Sequence, residues 1–257
     1  MNSLWDVTPE SLVTWVGVLD DGNGDRPDSA RSASLKAQLG ILQTKPMAFQ
    51  MKIYSYASEV AAKYLPALVD LFRQRPEALG SVTTLINVIS TTPYFIRFLR
   101  TPAGEGLAAL QAKRVASYVD KISTMNADEV GEIGQFLSSI LLLQGVQGVT
   151  EEDKAILLQH CPTWERRFPG RLASETAGRC LALLTADPQM RQMMQGVKDM
   201  LESKLEKCGG PGCTRRVQKD GSDLSQCGRC KSAVYCGVAH QKAAWTTHKP
   251  TCFAPAF

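Results

Sequence analysis

Eight side chains able to hold a transition metal fall in one short stretch: Cys208, Cys213, Cys227, Cys230, Cys236, His240, His248 and Cys252. Their spacing reads C-x4-C, C-x2-C, C-x3-H and H-x3-C. The stretch takes six of the chain's eight cysteines and two of its three histidines. Eight soft nitrogen and sulfur donors are what two tetrahedral zinc ions require, four to each. Cys227-Gly228-Arg229-Cys230 reads as a zinc knuckle, with Gly228 expected to ease the bend. Cys236/His240 and His248/Cys252 are i,i+4 pairs, so each suits one face of a helical turn. Four such pairs so close together leave a disulfide scaffold little support. Spacing alone leaves both sequential and interleaved pairing of the ligands open.

The residues between the donors carry a resemblance. The run Cys227-x-x-Cys230, Tyr235-Cys236, Gln241, Trp245, His248-Lys249 and Cys252 resembles the MYND-type zinc finger over about a sixth of the chain. That family has a CxxC, a YC and a Q-x3-W-x2-HK-x3-C ending. Two departures stand out: His240 where Cys is commoner, and a first pair spread to C-x4-C through Gly209-Gly210-Pro211-Gly212. The resemblance implies interleaved ligands. Cys208, Cys213, Cys236 and His240 would hold one zinc, and Cys227, Cys230, His248 and Cys252 the other. It also implies that Lys231–Tyr235 is a short strand with an open edge, to which a proline-containing peptide adds as a further strand. Val234, Tyr235, Gln241 and Trp245 would then form the peptide site, a mode in which backbone pairing and a side-chain pocket act together.

Little apolar surface backs this segment: Leu224, Val234, Tyr235, Trp245 and Phe253 are most of it. Metal must supply the folding energy, on the order of 10 kcal/mol or more per structural zinc. Without zinc the segment is expected to be disordered while the helical part stays folded. Residues 208–252 hold seven basic and two acidic side chains, leaving the remainder of the +4 chain near neutrality. Six thiolates and two Zn²⁺ bring the loaded finger to about +3, which suits a solvated face better than a nucleic-acid groove.

The elements that must position this segment are helical. From Leu35 to Lys207, apolar residues recur at helical spacing between Pro, Gly and N-cap breaks, and strand-type alternation is missing. The expected helices are 35–43, 48–74 with a bend near Pro66, 76–90, 93–100, 102–123, 127–145, 151–160, 171–186 and 188–206. Before them, Thr8-Pro9 marks a short helix carrying Leu12, Val13, Trp15, Val16 and Leu19. Residues 20–34 hold no large apolar side chain and read as a mobile linker. The organisation expected is therefore an N-terminal segment and linker (1–34), a helical domain (35–207), the finger (208–252) and a tail (253–257). The fold class is all-α: an irregular α-solenoid or helical bundle followed by a small two-zinc finger.

The remaining residues offer little chemistry. Cys161 and Cys180 read as buried thiols, and His160 beside Pro162 as a helix end. Met190, Met193, Met194 and Met200 read as core or seam filling. The run 133–150 is an amphipathic core helix and not a membrane span, and the N-terminus lacks a secretory signal. No phosphate loop, nucleophile elbow or HExxH motif occurs, and zinc held by four protein ligands has no open position. The expectation is a non-enzymatic adaptor of the cytoplasm or nucleus. Its helical scaffold carries a finger that recruits a proline-containing segment of a partner protein, in the setting of transcriptional regulation. The alternative is a nucleic-acid-associated regulator using the basic finger, marked by steep salt dependence of binding.

Overall fold

The computed structural model describes residues 7–20, 26–43, 47–185 and 188–257. Twelve α-helices occur among them: α1 (Pro9–Val16), α2 (Asp28–Gln43), α3 (Met47–Gln74), α4 (Ser81–Ile89), α5 (Pro93–Leu99), α6 (Leu107–Ser117), α7 (Val119–Ile122), α8 (Ala127–Gln144), α9 (Glu151–Arg167), α10 (Leu172–Thr185), α11 (Pro188–Glu206) and α12 (Val238–His248). Two short strands, β1 (Ser225–Gln226) and β2 (Val234–Tyr235), pair antiparallel near the C-terminal end. The all-α class with a C-terminal finger is what the structure shows. Contacts divide the chain into two units: one from Met1–Leu68, Thr91–Phe98 and Asp199–Phe257, the other from Val69–Ser90 and Leu99–Lys198.

In the first unit, Thr8 caps α1 as its sequence predicts. Its hydroxyl accepts from the Ser11 N–H at 3.1 Å, and Ser11 returns the bond to the Thr8 N–H at 3.0 Å. Leu12, Val13 and Val16 are buried, and α1 packs on α2. The start of α2 at Asp28 lies inside the stretch that composition reads as linker; residues 21–25 of that stretch lie outside the described residues. Pro27 supplies the first helical carbonyl, accepting from Ala30 and Arg31, and Asp28 suits the positive end of the helix. Arg31 is buried and donates to the Arg26 carbonyl at 3.1 Å. Small and polar residues thus form a helix once a neighbour gives them something to pack against.

In the second unit, α8 is the central helix, touching α4, α6 and α10. Asn126 closes its N-terminus with a full capping box, accepting from Asp128 and Glu129 while Glu129 accepts from the Asn126 N–H. Val130, Ile133, Phe136, Leu137, Ile140 and Leu141 are buried, and Phe72 meets Phe136 edge-on at 5.7 Å. Another side of α8 is nearly bare. A Cβ at Gly134 would stand 2.8 Å from the Thr176 Cβ, and one at Gly131 would stand 3.1 Å from the Ala173 nitrogen. These two glycines let α10 approach closely with Ala173, Thr176, Ala177 and Cys180.

Three expected boundaries differ. The stretch 102–123 is broken twice: Gly104 and Gly106, the latter at φ 73°, separate a 3-10 turn (Pro102–Gly104) from α6, and Tyr118 separates α6 from α7. The helix expected over 76–90 starts at Ser81, after Gly80. α9 does not stop near His160: it runs through Pro162 to Arg167, because Cys161 and Trp164 are buried and packing outweighs the lost hydrogen bond. Burial pushes the Cys161 thiol up to about 12 and holds Cys180 well above its ordinary value, and both thiols are buried as expected.

Gly134→Ala is expected to destabilise the chain by about 1–3 kcal/mol through overpacking against Thr176. Thermal unfolding followed by circular dichroism checks it, and adding Thr176→Ala should restore part of the loss.

Candidate metal centre

The finger begins as α11 ends. Cys208 is fixed by its own N–H, which donates to the Arg215 carbonyl at 2.9 Å, while the Gly209 N–H donates to the Val234 carbonyl at 2.9 Å. Within the spread first pair, position 210 has no room for a side chain. A Cβ at Gly210 would lie 2.6 Å from the His240 Cβ and ring, so the backbone itself closes on this imidazole. Gly212, at φ 68°, then turns the chain to Cys213.

The knuckle of the second pair is built differently from its sequence expectation. Gly228 does not take the left-handed conformation; Lys231 does, at φ 56°, alone among the described non-glycine residues. That twist sends the Ser232 N–H to the Cys230 sulfur at 3.4 Å, and the Lys231 N–H bonds the Cys227 carbonyl at 3.0 Å. The left-handed residue costs about 1–2 kcal/mol without a glycine, which the metal site must offset.

The eight donors gather into two sets of four. Cys208, Cys213, Cys236 and His240 form one; Cys227, Cys230, His248 and Cys252 form the other, with the ligand atoms of each set within 4.8 Å of one another. In the first set the His240 Nδ1 lies 3.3 Å from the Cys208 Sγ and 3.2 Å from the Cys236 Sγ, and the Cys213 and Cys236 sulfurs are 3.9 Å apart. In the second the Cys227 and Cys252 sulfurs are 3.7 Å apart, and the His248 Nε2 lies 3.6 Å from the Cys230 Sγ. Four donors about 2.0–2.3 Å from a shared zinc at tetrahedral angles stand about 3.3–3.8 Å apart. The sets fit two zinc ions. No sulfur pair is at bonding distance, and all the cysteines are free.

The electrostatics ask for the same cation. Burial, then the neighbouring Cys230, push the Cys252 thiol up to about 12, and Cys230 and Cys236 are raised as well. Burial would also raise Cys208, but N–H groups of Cys236 and Gly210 aimed at its sulfur outweigh this and hold it at about 6. A divalent ion lets all the thiols of a set ionise together. Burial keeps the His248 imidazole pKa below its ordinary value, favouring the neutral form that binds metal. The two sites differ in access: three donors of the second, Cys227, Cys230 and Cys252, are buried and His248 is half-exposed, whereas in the first only Cys208 is buried and Cys213, Cys236 and His240 are half-exposed.

With this geometry fixed, the sequence comparison is decisive: residues 206–252 match the family model of the MYND finger. The segment is a MYND finger. No family is assigned to the helices, and no curated protein or solved structure matches the chain.

α12 spans the MYND finger and carries a ligand in its first turn, His240, and another at its last residue, His248. Cys236 lies just before α12, and Cys252 follows a 3-10 turn (Lys249–Thr251), so neither i,i+4 pair lies wholly in α-helix. Val234 and Tyr235 are buried, whereas Gln241 is half-buried and Trp245 is 41% exposed. Both sides of β2 are engaged, by β1 on one and by the Gly209 N–H on the other, so the open edge expected at 231–235 is closed. Ser225 and Gln226 of β1 are exposed. A cavity of about 460 Å³ lies inward, where Ala244, Thr247 and His248 of α12 face Tyr54 and Ser58 of α3 and Lys204 and Lys207 beside α11's end.

The purified chain should contain two zinc ions, and Cys230→Ser should contain one, as counted by elemental analysis. Chelation should make 208–252 protease-sensitive while the α8–α10 core keeps its helicity.

Proposed function

We propose that this chain is an interaction adaptor and not an enzyme: its helices serve as scaffold and its MYND finger recruits a proline-containing segment of a partner protein. MYND fingers are generally protein-interaction modules. The observation that carries the finer reading is Trp245. A domain this small would ordinarily bury its tryptophan, yet this indole is 41% exposed. Gln241 lies one turn before it and Val238, 66% exposed, a further turn back, so one strip of α12 offers an apolar platform with an amide beside it. The residues of α12 turned toward α3 and α11, Ala244, Thr247 and His248, belong to a neighbouring face. A proline ring stacked on the indole and an amide bond to Gln241 suit this strip, with the outer side of β1 as the reachable sheet edge.

Two complete four-donor sets support a binding protein over a catalyst, since neither holds a position for substrate. Transcriptional regulation, in the nucleus or from the cytoplasm, is the setting we propose for the recruited partner. Among the described residues no helix is long and apolar enough to cross a membrane.

A proline-scanning peptide array followed by titration is the direct test. Trp245→Ala should weaken the selected peptide by about thirtyfold, as for a central aromatic anchor, while retaining two zinc ions. Equal affinity in the variant, or no bound peptide, overturns the reading.

A further inference from the structure

Residues 253–257, beyond the last metal ligand, are stitched to α3 and α5 within the first unit. The place for them is made by a proline. Pro66 in α3 has no N–H, so the carbonyl of Ala62, one turn earlier, has lost its helical donor. Ala62 is fully buried, where an unpaired carbonyl is costly. The Ala256 N–H fills it at 2.9 Å. Next, the Phe257 ring meets Phe98 edge-on at 5.1 Å, with the Arg97 guanidinium 5.3 Å from its centre.

The second anchor grips both sides of a metal ligand. The buried Tyr94 hydroxyl accepts from the Phe253 N–H at 2.8 Å and donates to the Thr251 carbonyl at 2.8 Å. Thr251 and Phe253 flank Cys252, a buried donor of the second zinc set. Ser55 of α3 adds a bond to the Pro250 carbonyl.

We infer that residues 253–257 form a strap, seated where Pro66 leaves a carbonyl free and clamped by Tyr94, which holds the second zinc site closed by fixing Cys252. Displacing the strap releases the zinc of Cys227, Cys230, His248 and Cys252 and spares the other. The coupling is reciprocal: whatever factor the strap adds to zinc affinity, zinc adds to strap docking. The half-exposed first site gives up its metal first in the intact chain, so the two ions leave in separate phases.

The test follows zinc release from the full chain into a metallochromic chelator, with His248→Ala identifying the phase of the second site. Deleting residues 253–257 should speed the slow phase by about tenfold, and Tyr94→Phe by about fivefold, the loss expected from one to two buried hydrogen bonds. The fast phase should not move. Pro66→Ala separates the strap from mere helix stability. It improves the propensity of α3, yet its new N–H competes with Ala256 for the Ala62 carbonyl, so the slow phase should quicken about two- to threefold while thermal stability holds. An unchanged slow phase in the deletion or in Pro66→Ala, or equal acceleration of both phases, overturns the inference.

Discussion

One eleven-residue helix carries a ligand for each of two metal ions, and the finger depends on that arrangement. α12 supplies His240 from its first turn and His248 from its last, so its length sets the spacing between the sites. Each ion gathers the rest of its set from elsewhere in the segment: the Cys208 loop and Cys236 on one side, the Cys227 knuckle and Cys252 on the other. The apolar residues are too few to do this. A cross-linked frame replaces a core, which is why Trp245 can stay outside without the finger collapsing.

The metal ligands were legible because zinc chemistry restricts both residue type and spacing. Their interleaving was not, since C-x4-C, C-x2-C, C-x3-H and H-x3-C satisfy a sequential pairing equally well; the family resemblance carried that step. Local backbone was harder. Gly228 looked like the flexible residue of the knuckle, but the turn falls on Lys231, because the geometry required is an N–H from residue 232 aimed at the Cys230 sulfur. Nothing in a lysine's side chain announces a positive φ. The meaning of Gly210 also appears only when His240 is brought against it.

Among the helices, the start of α1 was readable from Thr8 and Pro9, because capping chemistry is local. Ends and continuations were not, because they answer to tertiary packing. α9 passes through Pro162 with buried residues on either side of that proline, and α2 begins among serines and arginines that acquire partners only in the fold. The glycines of α8 look like helix weaknesses in one dimension and become the contact surface for α10 in three. Pro66 is similar: a missing donor in α3 matters through a residue 190 positions away, a pairing that no local pattern encodes.

The unequal burial of the two zinc sets also sorts the chain's sulfur chemistry. Cys161 and Cys180 are enclosed and held protonated, and Cys227, Cys230 and Cys252 are covered by the finger itself. Only Cys213 and Cys236 meet solvent, both at the first site beside His240. An electrophile or oxidant therefore reaches this protein's cysteines through one corner, where alkylation or sulfenic acid formation would strip a single ion.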